Sequence, residues 1–330
     1  MNARIDIEAV DGIREIRPGD NLGQVLAAGI DDLRDGDVVV VTSKVVSKAA
    51  GRVARMDRAR AIQAETAAVV ARRGQTTIAR TRHGFVLAAA GVDASNVQVG
   101  WVVWLPDDSD VAARSLRQAL LRRSGVNVGV VVTDTAGRAW RLGQTDLAVG
   151  CAGLRALVTL AGKVDRFGNL LSVTAPAIAD EIAGAAELVS TKLAGRPIAV
   201  VRGLSHHVLA AGVHGPGALE LLRPVAEDMF GLGSREAVEA AVAGDLAPPF
   251  ATGELSLAAV IGRCRDACAN LTGLTCQVSE HRLELTAPDG STQWRAAERV
   301  RILAWSHGWR TETRAGSEST VVVTFARAIP

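Results

Sequence analysis

The run Val126–Val132 and the polar stretch after it constrain this chain most. A nearly unbroken series of valines reads as a buried strand. Then come Thr133-Asp134-Thr135-Ala136-Gly137-Arg138-Ala139-Trp140-Arg141-Leu142-Gly143-Gln144. A carboxylate, hydroxyls, two arginines and a glycine thus arrive together where the strand is expected to end. Strand ends in α/β proteins are where ligands bind. The donor set suits a metal ion and an anionic ligand better than it suits a core.

Bulk composition narrows the class. The chain has 330 residues, 48% hydrophobic and 22% charged, which fits a soluble globular protein of one large domain or two. No apolar run reaches the roughly 18–20 residues that span a bilayer. Residues Met1–Glu8 carry acids where a leader peptide would be apolar, so a cytoplasmic protein is expected. A net charge of +2 gives no argument for nucleic acid as a partner. Cys264 and Cys268, four apart on an expected helix, read as small core residues, with a metal or redox pair as the alternative. Of the 37 basic residues only Lys44, Lys48, Lys163 and Lys192 are lysine. Two of them share one seven-residue motif, where a compact, strongly hydrated charge is wanted.

Periodicity and turn signals divide the rest. Strands are expected over Ile5–Val10, Val38–Thr42, Thr77–Ala79, Val86–Ala88, Val102–Leu105 and Pro197–Val201. Helices are expected over Leu22–Leu33, most of Arg52–Arg73, a segment from Asp107–Asp110 to Arg123, Ala179–Leu193 and Ser234–Ala243. Ala247-Pro248-Pro249-Phe250 breaks the pattern and marks a linker. Beyond it the order is helix, strand, strand, helix, strand, strand, a compact α+β unit.

Several clusters could carry chemistry. Thr42-Ser43-Lys44-Val45-Val46-Ser47-Lys48 follows a strand, and its hydroxyls and ammonium groups could cradle phosphate; it equally fits an exposed strand-to-helix turn. It lacks the glycines of a Walker A loop. Asp93-Ala94-Ser95-Asn96 is a polar loop that reads as an Asx-type turn or as a metal carboxylate. Asp134 and Thr135 could ligate Mg(II) or Mn(II), with Arg138 and Arg141 on an anion, or could form a helix cap with solvated arginines. Asp180-Glu181 read as acids at a helix start. His206, His207 and His214 match no strong zinc signature.

Taken in order, these segments resemble one family. Asp35–Lys48, Ala90–Val97, Thr133–Arg138, Asp165-Arg166-Phe167-Gly168-Asn169, Ala179-Asp180-Glu181-Ile182-Ala183 and Val200-Val201-Arg202-Gly203 are similar to motifs of the coenzyme F-420-0:L-glutamate ligase (gamma-glutamyl ligase) family, in particular the N-terminal ligase half of the actinobacterial bifunctional enzyme. The resemblance covers about residues 5–245. It implies an α/β fold, mixed with α+β, that forms an intertwined homodimer, with the ligase domain in residues 1–247 and a small α+β domain of unassigned role in residues 248–330. It implies GTP-dependent addition of L-glutamate to F-420-0, and of further gamma-linked glutamates, through an acyl phosphate. Two divalent metals, Mn(II) or Mg(II), and a stimulating K(I) go with that activity.

The family's nucleotide positions fall on Ile13, Arg14, Glu15, Ile16, Ser43, Lys48 and Asn96. Its first metal falls on Asp93 and Asp134, and Thr135 belongs to the second. Asp134 and Lys48 are the residues implied to be catalytic. Two departures stand out. Lys192 occupies the position of a further second-metal glutamate of archaeal members, and the tail is too short for the flavin domain of the bifunctional enzyme. Rival readings are an amide ligase with a different carboxylate acceptor and a non-catalytic nucleotide-binding relative.

Overall fold

The computed structural model describes residues 4–243, 255–317 and 319–327. The valine run Val38–Val41 is buried on both sides, which makes it a central strand covered by helices on each face. In chain order the first part contains β1 (Asp6–Ala9), α1 (Leu22–Gly29), β2 (Val38–Thr42), α2 (Ser43–Ala49), β3 (Val53–Arg55), α3 (Arg58–Glu65), β4 (Thr66–Arg73), β5 (Thr76–Thr81), β6 (Val86–Ala88) and β7 (Trp101–Val103). It continues with α4 (Ser109–Ser124), β8 (Gly129–Arg138), β9 (Arg141–Ala152), α5 (Ile178–Ser190) and β10 (Ile198–Arg202).

The central sheet has the order β1-β10-β2-β8-β9. Only β2 and β8 run parallel, with Thr42 level with Thr133. On one face Val39, Val41, Val130 and Val132 pack with Leu26 of α1 and Leu116 and Leu120 of α4. On the other, Val38, Val40 and Val131 pack with Ala179, Ile182, Ala183 and Ala186 of α5. Each fully buried valine contributes roughly 1.5–3 kcal/mol. Helix α4 is closed at both ends: Asp108 Oδ1 accepts from the Val111 amide at 2.8 Å, and Gly125 takes the left-handed conformation at φ 74°. The start of α4 comes so close to β9 that a Cβ on Gly150 would lie 2.3 Å from the Ser109 carbonyl oxygen.

Four expectations need correction. Arg52–Arg73 is not mostly helical. Asp57 caps a helix of only Arg58–Glu65, and the next stretch, with β-branched Thr66, Val69 and Val70, pairs with β5 as a strand. The helix predicted for Leu22–Leu33 stops at Gly29, and the one predicted for Ala179–Leu193 stops at Ser190, where Thr191 turns to φ 48°. Most important, β8 does not end at Val132. It runs on to Arg138 and folds back as β9, so the Thr133–Arg138 motif lies within a hairpin.

The chain divides into two compact units, residues 1–222 and 223–330. In the second, α6 (Ser234–Ala243) and α7 (Leu257–Cys268) precede β11 (Thr275–Ser279), β12 (Arg282–Thr286), α8 (Gly290–Ser306), β13 (Trp309–Ala315) and β14 (Thr320–Arg327). The strands form an antiparallel sheet of order β11-β12-β14-β13. Val260, Ile261, Val300 and Ala304 of its helices pack on Leu283, Leu285, Val321 and Phe325. Arg301 donates to the carbonyls of Ala241 and Val242 at 2.8 and 2.9 Å, tying the end of α6 to α8. The predicted helix–strand–strand–helix–strand–strand order is therefore present. The expected linker and the boundary at 247/248 lie outside the described residues. No helix among the described residues is long and apolar enough to cross a membrane.

Candidate active site

A cavity of about 610 Å³ opens in the first unit beside the C-terminal end of β2 and the middle of β8. Its walls are the Ile13–Ile16 segment, Thr42 with Lys44 and Lys48 of α2, Asn96-Val97-Gln98, Thr133, Thr135 and Asp146 of the hairpin, and the end of α5 with the loop to Pro197. Of the nucleotide positions expected from sequence, Ile13, Arg14, Glu15, Ile16, Lys48 and Asn96 share this one cavity. Segments more than 80 residues apart meet there because β2 ends at Thr42, level with Thr133 of the parallel β8, which runs on beyond it.

Lys48 is buried, with its Nζ 2.5 Å from Glu15 Oε1. Arg14 donates to Asp20 through both terminal nitrogens, at 2.7 and 2.9 Å. That pairing, and then the Arg17 amide, holds the half-buried Asp20 carboxyl at about 2. Asn96 adopts φ 53°, a left-handed conformation that asparagine tolerates and that closes the 93–96 loop.

The three residues expected to hold metals occupy two sides of β8, because successive strand residues point to opposite faces. Asp134 faces the α2 side, where the Ser43 hydroxyl donates to its Oδ1 at 3.1 Å. Burial pushes the Asp134 carboxyl up to about 7; the charges of Asp146 and Asp93 add to this, and the Ser43 bond opposes it. Asp93 is placed differently. Burial pushes it up, but Lys44 Nζ at 2.7 Å and the Ser95 hydroxyl and amide at 2.7 and 2.8 Å outweigh that and hold it at about 2. Thr135 faces the α5 side and donates to Asp146 Oδ1 at 2.8 Å.

Other candidates are not gathered here. Arg138 and Arg141 sit at the hairpin turn and do not line the cavity. His214 bonds to Arg117 at 3.2 Å, while His206 and His207 lie tilted against each other, and the three histidines are not grouped as a metal site among the described residues. Asp180 accepts from the Ala148 amide at 2.9 Å, which ties α5 to β9. The Cys264 and Cys268 thiols are buried and lie 3.8 and 3.7 Å from α8 carbonyls, as core residues do.

Reading the sequence also missed cavity residues. Asp146, Thr133 and Glu187 line the wall, and burial followed by the Asp146 charge pushes the Glu187 carboxyl up. The available signal was alternation: in a hairpin folding at Arg138–Arg141, Asp146 falls opposite Thr135. Among the described residues no lysine, arginine or histidine pairs with Asp134, Asp146 or Glu187, and no three or more His, Cys, Asp or Glu residues are grouped to hold an ion. Carboxylates without an ion-pair partner, beside threonine hydroxyls, fit Mg(II) or Mn(II), which bind through one or two carboxylates and take their other oxygens from phosphates and water.

Comparison with known proteins points to one family. The model of the F420-0:gamma-glutamyl ligase family matches residues 12–203. The coenzyme F420:L-glutamate ligase of Archaeoglobus fulgidus is 35% identical over 248 residues, which cover 69% of this chain and 96% of that protein. The protein of the same name from Methanopyrus kandleri is 35% identical over 246 residues, covering 68% and 96%. That of Methanothermobacter thermautotrophicus is 32% identical over 252 residues, covering 68% and 98%.

Proposed function

The chain belongs to the F420-0:gamma-glutamyl ligase family, and from that premise we propose that it joins L-glutamate to F-420-0, and further glutamates through gamma-linkages, at the expense of GTP. The observation that carries this reading is the single cavity shared by Ile13–Ile16, Lys48 and Asn96 at one side and by Thr135 and unpaired carboxylates at the other. A nucleotide with its phosphates directed at the carboxylates fits that polarity only with cations between them.

A carboxylate does not condense with an amine unaided. In the proposed reaction the terminal phosphoryl group of GTP passes to the acceptor carboxylate, giving an acyl phosphate and GDP. The glutamate amine then displaces phosphate and forms the amide. Divalent cations, held by Asp93 and Asp134 and by Thr135, would neutralise phosphate charge and align the reacting oxygens.

The chain's own side chains supply the rest. Lys48, fixed by Glu15, presents an ammonium group to the phosphates. Lys44 fixes the Asp93 carboxylate, and Ser43 orients Asp134. None of these steps needs an enzyme nucleophile, which agrees with the buried Cys151, whose thiol burial pushes up to about 12.

The same reading makes the protein a homodimer. The hairpin tip exposes Trp140 and Leu142, and the loop near Asp165 exposes Phe167, Leu170 and Val173. Exposed apolar side chains on these two projections fit a second copy of the chain.

One incubation tests the activity. The purified protein is mixed with GTP, Mn(II), L-glutamate and F-420-0, and GDP and product mass are followed. A ladder in steps of one glutamyl residue is expected. GDP release dependent on a different carboxylate would favour another acceptor, and nucleotide binding without turnover would overturn the catalytic reading.

A further inference from the structure

Asp146 is the most enclosed acid on the cavity wall, 5% exposed. Its two oxygens are both engaged by hydroxyls: Thr133 Oγ1 donates to Oδ2 and Thr135 Oγ1 donates to Oδ1, each at 2.8 Å. A hydroxyl has one proton and two lone pairs. With its proton committed to Asp146, Thr135 Oγ1 keeps its lone pairs for another partner. A ligand hydrogen-bonded from behind by a carboxylate is held in one orientation and is a stronger donor. The pair is therefore a ligating oxygen backed by a carboxylate that forms no ion pair with a basic group among the described residues.

Lys192 acts in the opposite sense. It lines the same cavity, and its Nζ lies 3.8 Å from Asp93 Oδ2. An ammonium there repels a divalent ion, so the loop after α5 cannot contribute the negative charge such an ion needs. Among the described residues, the carboxylates on that wall without an ion pair are Asp146 of β9 and Glu187 of α5, and Asp146 is the one bonded to the Thr135 hydroxyl.

We propose that Asp146 is the positioning residue and anionic support of a divalent-cation site at Thr135, acting through the Thr135 hydroxyl, with Thr133 holding the carboxylate in place. The inference rests on the ligase reading, in which GTP brings its phosphates to the same wall. It assigns to β9 a role that the Thr135 hydroxyl alone, a neutral ligand, cannot fill.

The test is Mn(II) binding to the full-length protein in the presence of GDP, followed by the electron paramagnetic resonance of free Mn(II). The wild type should bind two ions. Asp146→Asn keeps the side-chain shape and removes the charge; it should weaken one class of site about ten- to a hundredfold, the size typical of lost outer-shell support, and leave the other class intact. Adding Lys192→Glu to that variant returns a negative charge to the cavity and should recover about tenfold of the loss. Thr133→Val, which keeps the charge, should cost less than Asp146→Asn.

Two ions bound by Asp146→Asn with wild-type affinity would overturn the proposal and leave the ligase reading standing. A loss that Lys192→Glu does not restore would also overturn it, by showing a purely structural role. Fewer than two ions in the wild type would sink the two-metal reading itself. If Asp146→Asn does not fold, the single variant Lys192→Glu decides: it should tighten the same class, and an unchanged affinity refutes the proposal.

Discussion

Asp134 offers a test of the site that needs no substrate. Its carboxyl rises from the ordinary 3.8 to about 7, chiefly through burial. At about 1.4 kcal/mol for each pH unit, that rise corresponds to about 4 kcal/mol. The sign follows from proton counting. Between pH 3.8 and about 7 the native, metal-free chain holds a proton that the unfolded chain has released. Stability therefore falls as pH rises through that window, and the penalty is complete above it.

Asp134→Asn keeps the acceptor for the Ser43 hydroxyl and cannot ionise. Its stability relative to wild type should grow by about 2–3 kcal/mol between about pH 5 and pH 8.5. Urea unfolding in the presence of a chelator, at matched ionic strength, measures the difference. Adding Mn(II) at the higher pH should stabilise wild type and leave Asp134→Asn little changed. Parallel pH profiles for the two proteins would refute the argument, because they would mean that the Asp134 carboxylate is not buried without compensation.

Further perturbations test other parts of the reasoning. Lys48→Met should weaken GTP binding about tenfold or more by calorimetry, because it removes a charge-assisted contact worth about 1.5–3 kcal/mol; an unchanged affinity would remove Lys48 from the phosphate site. Trp140→Asp together with Leu142→Asp should convert a dimer to a monomer on sedimentation, and a dimer that persists places the interface elsewhere. Gly150→Ala should destabilise the first unit by about 1–3 kcal/mol or more, because its Cβ would meet the Ser109 carbonyl oxygen; a neutral effect would mean that α4 can shift away freely. Leu26→Ala should cost about 2–5 kcal/mol in the core between α1 and the sheet.

The elements that sequence reveals here are those whose burial is uniform. The valine runs of β2 and β8 and the helix–strand pattern of the second unit carry period or composition signals that tertiary contacts do not override. The extension of β8 beyond Val132 was hidden for a physical reason. Alternate residues of a strand wall that faces a polar cavity must themselves be polar, so Thr133-Asp134-Thr135 has the composition of a loop. The hairpin turn was equally hidden: Trp140 takes φ 60°, where short hairpins usually place Gly or Asn. Missing the turn removed Asp146 from view, since only the return strand brings it beside Thr135. At Thr66–Arg73, arginines and alanines suggested helix, but pairing with β5 supplies hydrogen bonds that a local propensity cannot match.

The alternation of Thr133, Asp134 and Thr135 along β8 also constrains how this hairpin can change. Its exposed tip can grow or shrink with little effect on the wall. Inserting or deleting one residue between Val132 and Thr135 would exchange the faces, turning Asp134 toward α5 and the threonines toward Ser43. Both of the proposed cation-binding faces would be lost in a single step, so length variants in this stretch should be inactive even when they fold.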